Sequence, residues 1–192
     1  FLGFMQKKII AVIIIIIALV IAMIIINSFR PTISFEQGYA EIQQAWLANN
    51  ISSTDLSFEF SSVEDQTILE KATDLKNDLI ALKTKFTGYN QSNQMPALLA
   101  LLALQINSIE IWEKEKTIAK ELVIPDEQLS GAFVCARLVN TKIAVNDFKS
   151  WINEVKQLNQ NLNEFSINYP LQAASVGINS IEIDSETLQT NV

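Results

Sequence analysis

An uncharged apolar segment near the amino terminus constrains this chain more than any other sequence feature. Residues 9–26 are eighteen consecutive residues without a charge, mostly isoleucine, valine and alanine. As a helix rising ~1.5 Å per residue, they would extend over ~27 Å, close to the hydrocarbon thickness of a bilayer. A signal peptide has a shorter apolar core, of ~7–15 residues, and a small-x-small cleavage site, which residues 24–30 do not provide. The sequence therefore predicts a retained transmembrane helix over residues 9–27, with a buried soluble core helix as the alternative.

The residues that flank this segment predict its orientation. Lys7 and Lys8 precede it and Arg30 follows it, so the positive-inside rule favours a cytoplasmic amino terminus. These three residues and Phe29 are the predicted membrane anchors, because basic side chains reach the headgroups and aromatic rings favour the interface. We expect a single-pass protein of the cell membrane, with the bulk of the chain outside the cytoplasm and the lipid bilayer as one partner.

The charge distribution limits the other partners. All 21 acidic residues but only 12 of the 14 basic ones follow residue 27, which gives that part of the chain a net charge of −9. This charge repels nucleic acid, which binds basic surfaces. It suits a solvated surface or a basic partner, and solubility alone is the simpler explanation. The expected partners are other membrane or surface protein subunits, and not nucleic acid.

Capping signals and helical periodicity predict most of the remaining structure. Ser34 and Gln37 form a capping-box pattern ahead of an amphipathic helix over about residues 35–49. A second helix follows residues 61–64, and Gly88 is placed to end it. Steps of four and three separate its apolar residues, which are Ile68, Ala72, Leu75, Leu79, Leu82 and Phe86. This heptad pattern predicts packing against another helix.

Two later segments extend the helical prediction. Residues 97–104 are apolar on every side and follow Pro96, so we expect burial in the centre of a bundle or, alternatively, against a partner protein. Residues 126–165 carry a further helical seam, but its phase breaks between Ile143 and Phe148. Either a kink near Asn146 or two abutting helices would accommodate that break.

Two short segments alternate apolar and polar residues and predict strands. They are residues 55–61 and 180–184, which are expected to pair with each other or to add to the sheet edge of a partner. The predicted fold is therefore mainly α. A single transmembrane helix precedes an extracytoplasmic antiparallel bundle of about four helices, one of them long, with a minor two-stranded β element. The predicted boundaries are a cytoplasmic amino terminus over 1–8, the span over 9–27, a linker over 28–34, the bundle over 35–166, and a connector, short strand and tail over 167–192.

The residue types present exclude several chemistries within this chain. There is no histidine, which removes the commonest general base and the Ser-His and Cys-His nucleophilic pairs. The single Cys135 can form neither an internal disulfide nor a cysteine-based metal cluster, and its apolar neighbours suggest a buried residue. The carboxylates Glu113 and Glu115 lie in a charge-rich stretch and are expected to be solvated. We predict no catalytic residue, metal site or cofactor and expect a protein that is not an enzyme.

The amino terminus resembles two families in part. Phe1 and the apolar helix resemble a mature type IV pilin, although Met5 occupies the position where that family carries glutamate, and Lys7 and Lys8 interrupt the helix. A span followed by asparagine-rich helices is similar to LemA-type membrane proteins, whose characteristic motifs are missing here. The sequence is therefore assigned to neither family.

The function expected from these features is docking. We expect a non-catalytic, membrane-anchored accessory or scaffolding subunit of a membrane-associated or cell-surface assembly. The alternatives are an extracytoplasmic bundle that binds or senses a ligand, and a pilin-like filament subunit. Asn50 and Asn90 match the N-glycosylation acceptor pattern within predicted turns. The aromatic residues considered for an interface, each with core burial as the competing interpretation, are Phe58, Phe60, Trp112 and Trp151.

Overall fold

The computed structural model describes residues 15–24, 32–58, 66–89, 94–122 and 131–178. Its regular structure is helical, which confirms the predicted mainly α class. The helices are α1 (Ile15–Ile24), α2 (Phe35–Asn49), α3 (Gln66–Thr87), α4 (Met95–Leu122), α5 (Gly131–Asn168) and α6 (Pro170–Ser175).

The described residues contain no strand. Residues 53–56 form a turn and residues 57–58 are irregular, so the strand predicted over 55–61 is wrong for its described part. The reason is local, because the Asp55 carboxylate accepts hydrogen bonds from the backbone N–H and the hydroxyl of Ser52 and closes a turn. Residues 59–61 and the second predicted strand, 180–184, lie outside the described residues.

Helix α2 begins and ends where its capping residues predict. The backbone N–H of Gln37 donates to the Ser34 hydroxyl, and the Ser34 N–H donates to the Gln37 side chain, both over 3.2 Å. This reciprocal pair satisfies two N–H groups that the first helical turn leaves without partners. At the other end, Asn50 adopts a left-handed conformation with φ of 50° and terminates the helix.

Helix α4 lies at the centre of the helical packing and contacts α2, α3 and α5. The burial predicted for residues 97–104 is confirmed at most positions, with Leu98 and Leu102 at most 1% exposed. Ala103 is exposed. Because neighbouring helices cover α4 from several directions, an all-round apolar helix is stable here without a membrane around it.

The predicted seam of α3 and the part of the α5 seam from Phe148 onward face the core. Leu75, Leu79 and Phe86 of α3 are fully buried, and α3 ends one residue before Gly88. Helix α5 is continuous through residue 146, so residues 131–168 form one helix ~57 Å long at ~1.5 Å per residue. The connector predicted from residue 167 onward contains α6, which begins at Pro170, a residue favoured in the first helical turn.

Charged residues connect neighbouring helices at the surface of this core. Lys76 of α3 pairs with Glu113 of α4, and Lys114 of α4 pairs with Glu154 of α5. Both pairs retain access to solvent, and surface pairs contribute little to stability, commonly ~0.2–1 kcal/mol each. The expectation that Glu113 and Glu115 are both solvated is wrong for Glu115, whose side chain is fully buried. Its position on the face of α4 that packs in the core overrides its polarity.

Helix α1 differs from the others because its side chains face outward. Its large apolar residues are 50–68% exposed. Such exposure is expected of a helix that is surrounded by something other than this domain. Only residues 15–24 of the predicted span are described. By length and composition, α4 over Met95–Glu121 is the one helix in the described ranges that could cross a membrane, and more than half of its apolar window is buried inside the domain.

A close approach between α2 and α4 generates a first prediction. A Cβ atom added at Gly38 would lie 2.2 Å from Cδ2 of Leu98, which is almost fully buried. Overpacking costs ~1–3 kcal/mol and outweighs the gain of ~1 kcal/mol in helix propensity. We expect Gly38→Ala to lower the free energy of unfolding by ~1 kcal/mol in urea denaturation.

The matched control is the same substitution in a Leu98→Ala background, where the clashing atoms are gone. There Gly38→Ala should become neutral or stabilising, by up to ~1 kcal/mol. An equal loss in both backgrounds would contradict the close contact.

Candidate functional site

A largely apolar cavity in the described part of the chain lies between α2, α4 and α5. Its volume is about 430 Å³ and it is partly open to solvent. The turn after α2 and the segment after α6 complete its walls. The described lining residues are Tyr39, Trp46, Ser53, Leu56, Ser57, Phe58, Leu101, Leu104, Gln105, Ser108, Leu158, Leu162, Val176 and Ile178. We refer to this cavity as the interhelical pocket.

Helical spacing explains how α2, α4 and α5 each contribute to the pocket. On α4, Leu101, Leu104, Gln105 and Ser108 recur in steps that place them on one face. Tyr39 and Trp46 of α2 are seven residues apart, which is two helical turns and again one face. The pocket is therefore formed by rigid elements on three sides.

Residues 51–58, which contain the turn over 53–56, form a further wall beside the segment after α6. Ile51 and Leu56 are buried and attach the turn to the core. The ring of Phe58 lies 6.3 Å from that of Trp151, tilted by 50°, which is a favourable aromatic contact. The hydrogen bonds from Ser52, first that of its backbone and then that of its hydroxyl, hold the pKa of the Asp55 carboxyl below its ordinary value.

Two residues of the pocket wall carry buried polar atoms that lack partners. Nε1 of Trp46 and Oε1 of Gln105 are inaccessible to solvent, and neither has a hydrogen-bond partner among the described residues. Tyr39, in the same wall, is better satisfied because its hydroxyl accepts a hydrogen bond from Gln43. Buried polar atoms in folded proteins are nearly always hydrogen-bonded. These two exceptions do not mark the cavity, because Nε1 of Trp112, which does not line the pocket, is also buried without a hydrogen-bond partner among the described residues.

The pocket offers binding chemistry. None of the described lining residues is charged, and most of the surface is apolar. Such a wall removes apolar groups from water and orients them through a few hydrogen bonds. It supplies no nucleophile–base pair, since its hydroxyl-bearing residues have no histidine, lysine or carboxylate beside them in the described lining.

The predicted interface residues lie in different parts of the structure. Phe58 is half-buried and lines the pocket. Trp112 and Trp151 are 2% and 0% exposed, in agreement with core burial, the interpretation that competed with an interface role. Both lie in the core, where the indole N–H of Trp151 donates to the backbone carbonyl of Ile111 over 2.9 Å. Phe60 lies outside the described residues.

The remaining predicted sites are mostly beyond the described ranges. Asn50 is exposed at the end of α2, a position accessible to a glycosylating enzyme. Asn90 and the predicted membrane anchors Lys7, Lys8, Phe29 and Arg30 lie outside the described residues.

The pocket is not predicted by the sequence. Gln105 and Ser108 are the residues that could have indicated it, because they interrupt the apolar face of α4 immediately after residues 97–104. A polar side chain on an otherwise buried face is a signal of either a buried network or a ligand.

The turn beside the pocket generates a second prediction. Asp55 has a pKa lower in the folded chain than in the unfolded chain, so its carboxylate stabilises the fold above the ordinary pKa of ~3.9. That contribution is lost as the pH falls through the depressed value. We expect Asp55→Asn to be less stable than the parent at pH 7, and the difference to shrink as the pH falls below ~4.

Urea denaturation at several pH values measures this difference. Asp74→Asn, at an exposed position of α3, is the matched control and should show little change. A deficit for Asp55→Asn that persists undiminished at pH 2.5 would contradict the assignment.

No protein-family model matches the sequence, and no curated protein or solved structure is significantly similar to it. The interhelical pocket is therefore the feature from which a function is inferred.

Proposed function

We propose that this chain is a non-catalytic, membrane-anchored helical bundle that binds a small, mainly apolar ligand in the interhelical pocket. The observation that carries the proposal is the pocket itself. Its volume of about 430 Å³ lies within the ~300–1,000 Å³ typical of small-molecule sites. Its walls come from helices of one core, so the cavity is preformed and a ligand need not order the chain in order to bind.

Membrane anchoring is the second part of the proposal. It rests on the uncharged residues 9–26 and on the outward-facing apolar side chains of α1. With Lys7 and Lys8 on the cytoplasmic side, the pocket would face the extracytoplasmic space. The core helix α4, although apolar, is covered by its neighbours and has no need of lipid.

An accessory or scaffolding subunit is the second candidate function. The observation that favours it is a set of apolar side chains left on the surface, since Leu47, Ile167 and Leu171 are 77%, 69% and 80% exposed. Ile167 and Leu171 are four residues apart at the junction of α5 and α6. Single exposed apolar residues are common on soluble proteins, so they carry less weight than the pocket.

Photolabelling tests the ligand-binding proposal on the full chain in detergent. The probe is a ten-carbon alkyl diazirine, and labelled positions are mapped by peptide mass spectrometry. We expect label on α1, which the detergent surrounds, and also on pocket residues of α4 and α5. Ser108→Trp fills part of the pocket and should reduce pocket labelling about tenfold, since ligand and indole compete for the same volume. Labelling of α1 should not change.

The matched control is Ser150→Trp, which places the same side chain at an exposed position of α5 and should leave both sets of labels unchanged. Thermal melting of each variant verifies folding. The proposal fails if the label is confined to α1, or if Ser108→Trp leaves pocket labelling intact.

A further inference from the structure

We propose that the end of the bundle that carries the junction of α5 and α6 rests on the bilayer surface, with Ile167 and Leu171 inserted among zwitterionic lipid headgroups. This proposal rests on the membrane anchoring proposed for α1, because it adds a second lipid contact that the domain itself makes. The observations that carry it are the exposure of these two side chains, their place in the bundle, the uncharged sequence around them and the short chain between α1 and the domain.

Ile167 and Leu171 are exposed on a corner that is fixed to the core. They are 69% and 80% exposed, whereas Phe165 before them and Ala173 after them are each 3% exposed. The ring of Tyr169 lies 5.3 Å from that of Phe165, and the backbone N–H of Ala173 donates to the Tyr169 carbonyl over 2.8 Å. The two apolar side chains therefore point away from the core because of the packed fold, and not because a chain end is frayed.

This corner lies at the end of the bundle where α2 and α4 begin. The backbone N–H of Phe35, the first residue of α2, donates to the side-chain oxygen of Gln94, immediately before α4, over 2.9 Å. Asn168, the last residue of α5, borders the same shallow depression as Ala100 in the second turn of α4. We refer to this end as the entry end, because the chain that follows α1 joins the domain there.

The chain between the apolar segment and the domain is too short for the opposite end of the bundle to face the bilayer. The apolar run ends at Ile26, and Ile33, which is 6% exposed, comes only seven residues later. Seven residues extend over at most ~25 Å. Helix α4, with 28 residues, is ~42 Å long. A domain turned upside down would push the far end of α4 into the membrane, so with α1 in lipid the entry end faces the bilayer.

The charges at the entry end indicate which lipid surface fits. Residues 165–178 carry no charge, although charged residues make up 18% of the chain. The exposed carboxylates nearby are Glu164, which precedes the corner, and Glu36, which borders a depression together with Ser175 of α6. The chain after residue 27 has a net charge of −9. An anionic lipid surface would repel this end, whereas a zwitterionic surface accepts uncharged apolar side chains.

The size of the exposed set favours lipid over a protein partner. A stable protein interface buries ~800 Å² on each partner and needs a matched surface. Ile167 and Leu171 form a small corner, and lipid can surround such a corner without any shape complementarity. Each side chain removed from water should favour the docked arrangement about tenfold.

Depth-dependent quenching tests the proposal on the full chain in phosphatidylcholine nanodiscs. Dansylalanine, a fluorescent amino acid, replaces Asn168, which is exposed beside Ile167, and the quencher is a phosphatidylcholine with a nitroxide near the headgroup end of its acyl chain. We expect the lipid nitroxide to quench this fluorophore. The same fluorophore at Ser150, an exposed position of α5 that is ~27 Å away along the helix, should not be quenched.

Substitutions of the two apolar residues test whether they make the contact. Ile167→Ser and Leu171→Ser should each lower the ratio of docked to undocked domain about tenfold, and quenching at position 168 should fall accordingly. Leu47→Ser is the matched control, because Leu47 is 77% exposed but lies near the other end of α2. It should leave the quenching unchanged. Replacing part of the phosphatidylcholine with phosphatidylserine should also weaken it, since the domain and the lipid would then carry like charges.

A fluorophore at Ala18 of α1 separates this proposal from membrane anchoring. Quenching at Ala18 without quenching at position 168 overturns the proposal and leaves anchoring standing, whereas no quenching at Ala18 overturns both. Blue-shifted emission at position 168 without quenching by lipid means that protein, such as a second copy of the chain, covers the corner, and it also overturns the proposal. Quenching at position 168 that Ile167→Ser and Leu171→Ser leave intact overturns the role of these side chains.

Discussion

Burial of helix α4 on several faces is the interaction on which the rest of the structure depends. Leu98 and Leu102 have almost no exposed surface, and α2, α3 and α5 each contact this helix. At ~25 cal/mol per Å² of apolar surface removed from water, a central helix of this composition provides much of the driving force for folding. Helices α2, α3 and α5 need only one apolar face each, which is why their sequences are amphipathic and residues 97–104 of α4 are not.

The sequence predicted well those features that depend on neighbouring residues. The Ser34 capping box, the end of α2 at Asn50 and the buried seam of α3 all follow from residues within two helical turns of one another. The failures arose where tertiary packing or local hydrogen bonding competed with a short pattern. The alternation that begins at Asp55 yields to the turn that Ser52 closes, and Glu115 is buried although its neighbours are charged.

The pocket could not be predicted from the sequence because no local pattern describes it. Its walls come from α2, the following turn, α4, α5 and the segment after α6, which are brought together only by packing. The residues that give it chemical character are equally indistinct in the sequence. Trp46 fits the amphipathic pattern of α2, and Gln105 is an ordinary residue for a helix. Their buried polar atoms do not distinguish them either, since Nε1 of Trp112 in the core is also buried without a hydrogen-bond partner among the described residues.

The uncharged lining of the pocket determines how its occupancy by a ligand would respond to ionic strength and pH. Coulombic attraction weakens with ionic strength and charged contacts change with acidity, but a wall whose described residues carry no charge at neutral pH has little of either dependence. The fraction of pockets occupied by a neutral ligand would follow the concentration of that ligand and little else. The affinity of such a site would stay nearly constant while the salt and proton content of the surrounding fluid changes.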